Sequence, residues 1–370
     1  MSLIKYGKIR LAGMGLVAAA LILAISCGTG GGPDFQAGSG KGSVVLFITD
    51  NISFYKQVVS TITGVRLVNS GTGGICAVME IPVTLDIANL TNIAHYTNVA
   101  QCPKGNYNRI DISFLGAVHL MDQREATSAC AYTSYTNESG DQMPLSCDSA
   151  TGICTISIQG GTRGVPFLVQ EDFYNDLGLD FDLKQFSVMD FGNPAACAVN
   201  MKVFTKNAAD MNSSGRSHGA TGSMQGLETA KGIFTLLAGG ETLTVDYSGI
   251  NPALQPNIDT LLQKAWTDGL SVNVLTGSID LKTKTIAANR ISVKAAGSVS
   301  GVKDKPQWTF DLAYGTAGAI AGRHEPPADV QGAFLDGAWV NVKFDGYDEK
   351  TARYLAASIE VLPAGTVLDD

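Results

Sequence analysis

Hydrophobic positions along the chain fall into three regimes. Residues 11–25 form an unbroken run of small and aliphatic side chains, preceded by Lys5, Lys8 and Arg10. That run is shorter than the roughly 20 residues a membrane-spanning helix needs. From residue 43 the pattern changes to short apolar stretches bounded by Gly, Asn, Asp and Pro. Residues 43–49 read as an apolar strand closing at Asp50-Asn51, and residues 59–68 alternate with period two. Val59, Thr61, Thr63, Val65 and Leu67 share one face; Ser60, Ile62, Gly64, Arg66 and Val68 share the other. Residues 83–87 and 109–115 continue the series, the latter after the turn Pro103-Lys104-Gly105-Asn106. Helical spacing stands out over 257–267, where Ile258, Leu261, Leu262 and Ala265 recur on one side. Strands at this spacing predict a mainly β chain.

The third regime is a repeat. Residues 268–293 align without gaps on 336–361, with identities at Asp268/Asp336, Gly269/Gly337, Val272/Val340, Asn273/Asn341, Val274/Val342 and Asp280/Asp348. Further identities are Lys282/Lys350, Thr283/Thr351, Ala288/Ala356, Ile291/Ile359 and Val293/Val361. Asp-Gly predicts a turn, Val-Asn-Val a strand with its valines inward, and Asp-x-Lys-Thr a hairpin turn before a period-two return strand. Upstream, residues 232–236 match 308–312 around Phe234/Phe310 and Leu236/Leu312. The first copy carries the 257–267 helix as extra sequence. These patterns divide the chain into a β-sandwich domain over 43–206, a Ser/Gly/Asn-rich linker over 207–226, and small β-barrels over 227–297 and 298–363.

The N-terminal run changes the picture of location. A basic start, a short apolar run and small residues before a cut describe a signal peptide over 1–26. Leu23-Ala24-Ile25-Ser26-Cys27 resembles the lipobox of bacterial lipoproteins, with Ala24 where Leu is usual. The resemblance implies a lipid on Cys27 and a membrane anchor. Gly28 rather than Asp after Cys27 implies sorting to the outer membrane, and 27–42 reads as a Gly-rich tether. The competing reading is a plain secretory signal in which Cys27 is incidental.

Composition narrows the chemistry. The formal net charge is −8, and loss of residues 1–26 removes basic groups only. Such a body is unsuited to nucleic acid or to anionic headgroups. With Cys27 assigned to lipid, six of the seven cysteines remain. An exported chain uses such cysteines as disulfides, with the connectivity formally open. Cys147 and Cys154 flank a turn and form the favoured pair; Cys76 with Cys102 comes next, leaving Cys130 with Cys197. No pair has CxxC spacing and histidines number only four, so no zinc, haem or other cofactor is expected.

Thr49-Asp50, residues 61–65, residues 85–90, Gly105-Asn106-Tyr107 and Leu179-Asp180-Phe181-Asp182 occur in an order that resembles a β-sandwich family of bacterial lipoproteins. That family is catalogued as a domain of unknown function. The resemblance covers most of 42–206, departs around 126–162, and implies an immunoglobulin/transthyretin-like sandwich without implying chemistry. The tandem repeats resemble a family of small barrels akin to OB-folds, which often bind oligosaccharide or oligonucleotide.

Candidate sites are few. Asp180 and Asp182, with Asp50, Asp172 or Asp176, are candidate Ca²⁺ ligands. They lack the DxDxDG run of a loop site, and the favoured reading makes them strand-edge groups bonding backbone amides, with Leu179, Phe181 and Leu183 in the core. Trp266, Trp308 and Trp339 are candidate stacking platforms, Trp339 as an exposed one. His218, in the linker, and Arg323-His324-Glu325, in a Pro-rich loop, read as exposed. No Gly-x-Ser-x-Gly elbow marks a nucleophile. The expectation is a non-enzymatic envelope lipoprotein that binds or scaffolds a protein or glycan. The alternative is a glycan-active or metal-dependent hydrolase using Asp180 and Asp182.

Overall fold

Strands of the first half fall on the expected apolar stretches, but residues 59–68 do not keep one period. The pairing shifts between Ile62 and Gly64, so Ile62 joins Val65 and Leu67 in the core. Val59, expected on their face, packs with Leu362 and Leu368. The computed structural model describes residues 40–370 except 51–52, 138, 160–164, 208–215, 304–307, 315–317 and 325–328. The signal peptide, Cys27, nearly all of the tether and Glu325-Pro326-Pro327 therefore lie outside the described residues.

β1 (Lys41–Thr49), β2 (Gln57–Asn69), β3 (Gly74–Met79), β4 (Val83–Asp86) and β5 (Ile93–Pro103) open the fold. They are followed by β6 (Gly105–Tyr107), β7 (Arg109–Leu115), β8 (Ala117–Met121) and β9 (Thr127–Thr136). Next come β10 (Gln142–Pro144), β11 (Ser146–Cys147), β12 (Ile153–Gln159) and β13 (Phe167–Val169). β14 (Tyr174–Phe181), β15 (Ser187–Met189) and β16 (Ala198–Asn207) complete the half.

One layer runs β16–β14–β1–β5, with β1 parallel to β14 and antiparallel to β5. The other centres on β2, which pairs with β7 and β8 on one edge and with β3 and β4 on the other. β7 continues to β12, β8 to β9, and β9 runs parallel to β16, so β16 belongs to both layers. Val44, Leu46 and Ile48 of β1 join Ile62, Val65, Leu67, Ile110, Ile112 and Phe114 in a single core. Three disulfides pin this half: Cys76–Cys102, Cys130–Cys197 and Cys147–Cys154. Each closed loop contributes on the order of 2–4 kcal/mol.

The second half contains β17 (Ser217–Glu228), β18 (Ile233–Ala238), β19 (Glu241–Asp246), α1 (Ile258–Asp268) and β20 (Ser271–Asp280). The long β21 (Thr285–Lys303) leads into β22 (Trp308–Tyr314), β23 (Gly318–His324), β24 (Asp329–Gln331), β25 (Trp339–Asp348) and β26 (Arg353–Leu362). Strand pairing closes two five-stranded rings. The first runs β17–β18–β19–β21–β20 and back to β17, with β19 parallel to β21. The second runs β21–β22–β23–β26–β25 and back to β21, with β23 parallel to β26.

The aligned positions of the repeat take the same places in both rings. Val272 and Val274, and Val340 and Val342, are fully buried. Asp280 accepts from the Lys282 amide at 2.9 Å and Asp348 from the Lys350 amide at 3.0 Å. Lys284 and Ala352 both close their hairpins at positive φ. α1 packs Leu261, Leu262 and Ala265 into the core and ends at Gly269. At φ 67 this glycine donates back to Ala265 and Trp266, a left-handed cap that a Cβ would penalise.

Three expectations about domain borders need correction. The stretch 207–226, expected as a linker, becomes strand β17 from Ser217 onward, paired with β18, β20 and β5. Its glycines serve close packing: a Cβ at Gly222 would collide with the Leu237 carbonyl. The border at 297/298 falls inside β21, whose first part completes one ring and whose second part opens the next. The sandwich is also not separate from the rings. β5 runs parallel to β17, Ser217 opposite Ile93 through Ala220 opposite Tyr96. Val45 and Phe47 of β1 and Ala94 and Tyr96 of β5 turn their faces into the core of the rings. β1 is buried on both faces, which is why it reads as a continuous apolar run. The described residues, from 40 to 370, lie in one compact unit.

Candidate functional site

The polar residues with the most unusual surroundings lie where sandwich and rings meet. After β26 the chain runs back over the sandwich as a strap, residues 363–370. The Trp339 indole donates to the Thr366 carbonyl at 2.6 Å, and Leu362 and Leu368 pack with Val59. The Asp369 amide donates to the Thr84 carbonyl at 2.7 Å, and its carboxylate accepts from the Thr84 amide at 2.8 Å. The Asp370 carboxylate accepts from the Asp86 amide at 3.1 Å.

Two lysines reach the strap from the rings. Lys294 on β21, 3% exposed, donates to the main-chain oxygens of Leu368 (3.2 Å) and Asp370. Lys343 on β25 lies 3.5 Å from the Asp370 carboxylate and 4.0 Å from that of Glu360 on β26. Glu360 accepts from the Asn89 side chain at 3.0 Å. Asp86 accepts at one oxygen from the amides of Val58 (2.8 Å) and Ala88 (3.2 Å).

Burial and mutual repulsion set the charges here. Burial, reinforced by Glu360 and Asp370, holds the Asp86 carboxyl well above the usual carboxylate range. Burial likewise raises Glu360, against the pull of Lys343. Burial would raise Asp370 too, but Lys343 and Lys294 outweigh it and hold it low. Burial lowers Lys294 to about 8, against the pull of Asp370. Lys343 resists burial and is raised, because Asp370, Glu360 and Asp86 face it. The cluster thus sets the cost of burial against the attraction between its acids and its two lysines.

His95 on β5 completes the wall. Burial lowers it to about 4, with Asp370 opposing and Lys294 and Lys343 adding to the shift; it also hydrogen-bonds the Asp369 backbone. A His neutral in the fold but titrating near 6.5 when unfolded contributes stability fully present above pH 6.5. That contribution, roughly 3 kcal/mol, is lost as the pH falls towards 4. His95→Gln is therefore expected to flatten the acid limb of a stability–pH curve measured by urea unfolding between pH 7 and 4. A variant as acid-sensitive as the parent contradicts the assignment.

Beside this cluster lies a half-enclosed cavity of about 240 Å³. Its walls come from all parts of the fold: Asn89, Leu90, Ile93 and His95 from the sandwich, Asn273, Leu275 and Ser292 from the first ring, and Lys343 and Ser358 from the second. No local motif marked this site, because Asp86, His95, Lys294, Lys343 and Glu360 lie on five different strands. Charged residues set between buried apolar neighbours, as Lys294 between Val293 and Ala295, were the available signal.

The residues singled out in sequence are placed elsewhere. Asp180 is 1% exposed and ion-paired to Lys206; Asp182 accepts from the Gln185 side chain. Asp50 accepts from the Leu183 amide at 3.1 Å. Leu179, Phe181 and Leu183 are core residues. Among the described residues no group of three or more His, Cys, Asp or Glu is placed to hold a metal ion.

The tryptophans do not share a face. Trp266 is 40% exposed on α1, while Trp308 stacks on Phe334 at 5.6 Å. Trp339, expected to be exposed, is partly buried and bonded to the strap. His218, expected in solvent, is buried: β17 carries it into the sheet, where Nδ1 lies 3.0 Å from the Gly277 carbonyl and the ring meets Phe47 edge-on. Burial lowers its pKa. Arg323 and His324, expected in a loop, belong to β23. Arg323 pairs with Asp348 at 3.1 Å, and His324 is buried edge-on to Trp308.

The fold defines a mainly β protein in which sandwich and barrel-like parts are fused. Its disulfides suit an oxidising compartment outside the cytosol. Among the described residues no helix is long and apolar enough to cross a membrane. Residues 41–196 match the family model described as Domain of unknown function (DUF4382). The match starts at the first residue of β1 and stops just before Cys197 and β16, which close the sandwich. No curated protein matches the chain.

Proposed function

We propose that the chain is a non-enzymatic lipoprotein of the outer membrane, anchored through Cys27, whose fused β body binds or scaffolds an envelope or extracellular protein or glycan. The observation that carries the binding reading is the cavity at the junction of the three β parts, walled by polar side chains from each. Ligand sites gather at such junctions. The ring order supports it further: first, second, third, fifth and fourth strand, with α1 between third and fourth in the first ring, resembles the OB-fold. The disulfides support the export address. An acidic body, −8 before processing, favours a partner other than nucleic acid or anionic headgroups.

The anchor is tested by metabolic labelling with palmitate in a bacterial host. The parent chain is expected to take up label and sediment with membranes, and Cys27→Ala to do neither. Unchanged membrane partitioning of Cys27→Ala contradicts the anchor. A hydrolytic activity of the purified protein that disappears with Asp180→Asn or Asp182→Asn contradicts the non-enzymatic reading.

A further inference from the structure

We infer that the junction cavity is a subsite for one neutral sugar ring, a hexopyranose, presented free or at the end of a glycan. The inference rests on the reading of this chain as a binding module and names its ligand class. Size comes first. A half-enclosed space of about 240 Å³ is many times what a single water needs and is on the scale of one six-membered ring.

The chemistry of the wall comes second. Asn273 commits its Nδ2 to the Thr221 hydroxyl at 2.8 Å, and Asn89 commits its Nδ2 to Glu360 at 3.0 Å. Each keeps a side-chain oxygen for an outside donor. Ser292 and Ser358 line the same space and contribute hydroxyls that both donate and accept. Lys343, 3.5 and 4.0 Å from its two carboxylate partners, carries three N–H donors and so has one beyond those partners. Mixed donors and acceptors of this kind suit hydroxyl groups, each of which gives and takes one bond.

Charge comes third. Lys294 and Lys343 already face Asp86, Glu360 and Asp370, and Arg290 at the rim pairs with Asp345 at 3.2 Å. An anion would have to displace internal carboxylates, and a cation would have to displace lysines. A neutral polyol disturbs neither. Leu90, Ile93 and Leu275 supply an apolar wall for the C–H face of the ring.

The test uses the full chain in a sugar-free detergent, with saturation-transfer NMR and titration by D-glucose, D-galactose, D-mannose and inorganic phosphate. At least one hexose is expected to bind with a millimolar Kd. Ser292→Phe, which fills the cavity, is expected to weaken it at least tenfold. The milder Ser292→Ala/Ser358→Ala pair, which keeps the packing, is expected to weaken it severalfold and to reproduce the effect should the larger variant fail to fold. No hexose binding, hexose binding untouched by the double alanine variant, or phosphate binding tighter than any hexose overturns the inference. Lipidated, membrane-bound protein without hexose binding removes this inference and leaves the anchor standing; hexose binding by unlipidated protein does the reverse.

Discussion

Deletion of residues 363–370 is expected to lower the stability of the folded chain by about 3–5 kcal/mol, the cost of breaking a buried ion pair from one side. The strap supplies the Asp370 and Leu368 main-chain oxygens to Lys294 and the Asp370 carboxylate to Lys343. Without it Lys294 loses these oxygens and Lys343 loses the nearer of its two carboxylate partners. Glu360 and Asp86 cannot fully substitute, since Glu360 is tied to Asn89 and Asp86 to the Val58 and Ala88 amides. The loss is read as a shift in urea midpoint at pH 7. The ion pair itself is isolated by a double-mutant cycle on Lys343→Met and Asp370→Asn. Their effects are expected to be less than additive by at least about 1 kcal/mol, as for residues in one network. Strict additivity, or a deletion that costs under about 1 kcal/mol, contradicts the role given to the strap.

The second large effect is expected at two glycines that occupy the same place in the two rings. A Cβ at Gly222 would collide with the Leu237 carbonyl, and one at Gly297 with the Ala313 carbonyl. In each case the obstacle is backbone of the neighbouring ring strand, which cannot rotate aside as a side chain can. A closed ring must then open or shift register, so Gly222→Val and Gly297→Val should each cost about 3 kcal/mol or more. Gly277, whose Cβ would meet nothing within 4 Å, is the control: Gly277→Ala should change the urea midpoint little. Equal tolerance at all three positions would contradict the ring closure.

The contrast between these glycines and the surrounding sequence explains what could be read in advance. Period-two alternation in 109–115 and the aligned repeat at 268–293 and 336–361 are local signals, and the strands follow them; in 59–68 the strand forms, but its register shift between Ile62 and Gly64 exchanges the faces partway along. The α1 helix is realised one residue later than its spacing suggested, at Ile258–Asp268, with the expected residues inward. The three cysteine pairs are the expected ones, though only Cys147–Cys154, across a short turn, had a local signal. β17 was hidden because Gly219 and Gly222 are selected by the approach of other strands, and that composition imitates a linker. The ionic junction was hidden for a different reason. Its contacts join residues such as Thr84 and Asp369, or Asn89 and Glu360, that stand far apart in the chain and carry no local motif. The carboxylates that did form a local pattern, Asp180 and Asp182, are engaged within the sandwich.

Fusion of sandwich and rings into one body, with the junction between them, is the claim on which the others depend. Scanning calorimetry of the full chain at pH 7, disulfides intact, tests it directly. One endotherm is expected, with calorimetric and van't Hoff enthalpies in agreement, because β5 and β17 share a sheet and the strap crosses both halves. Two resolved transitions, one of them unaffected by reduction of the disulfides in the first half, would show separate domains and contradict it.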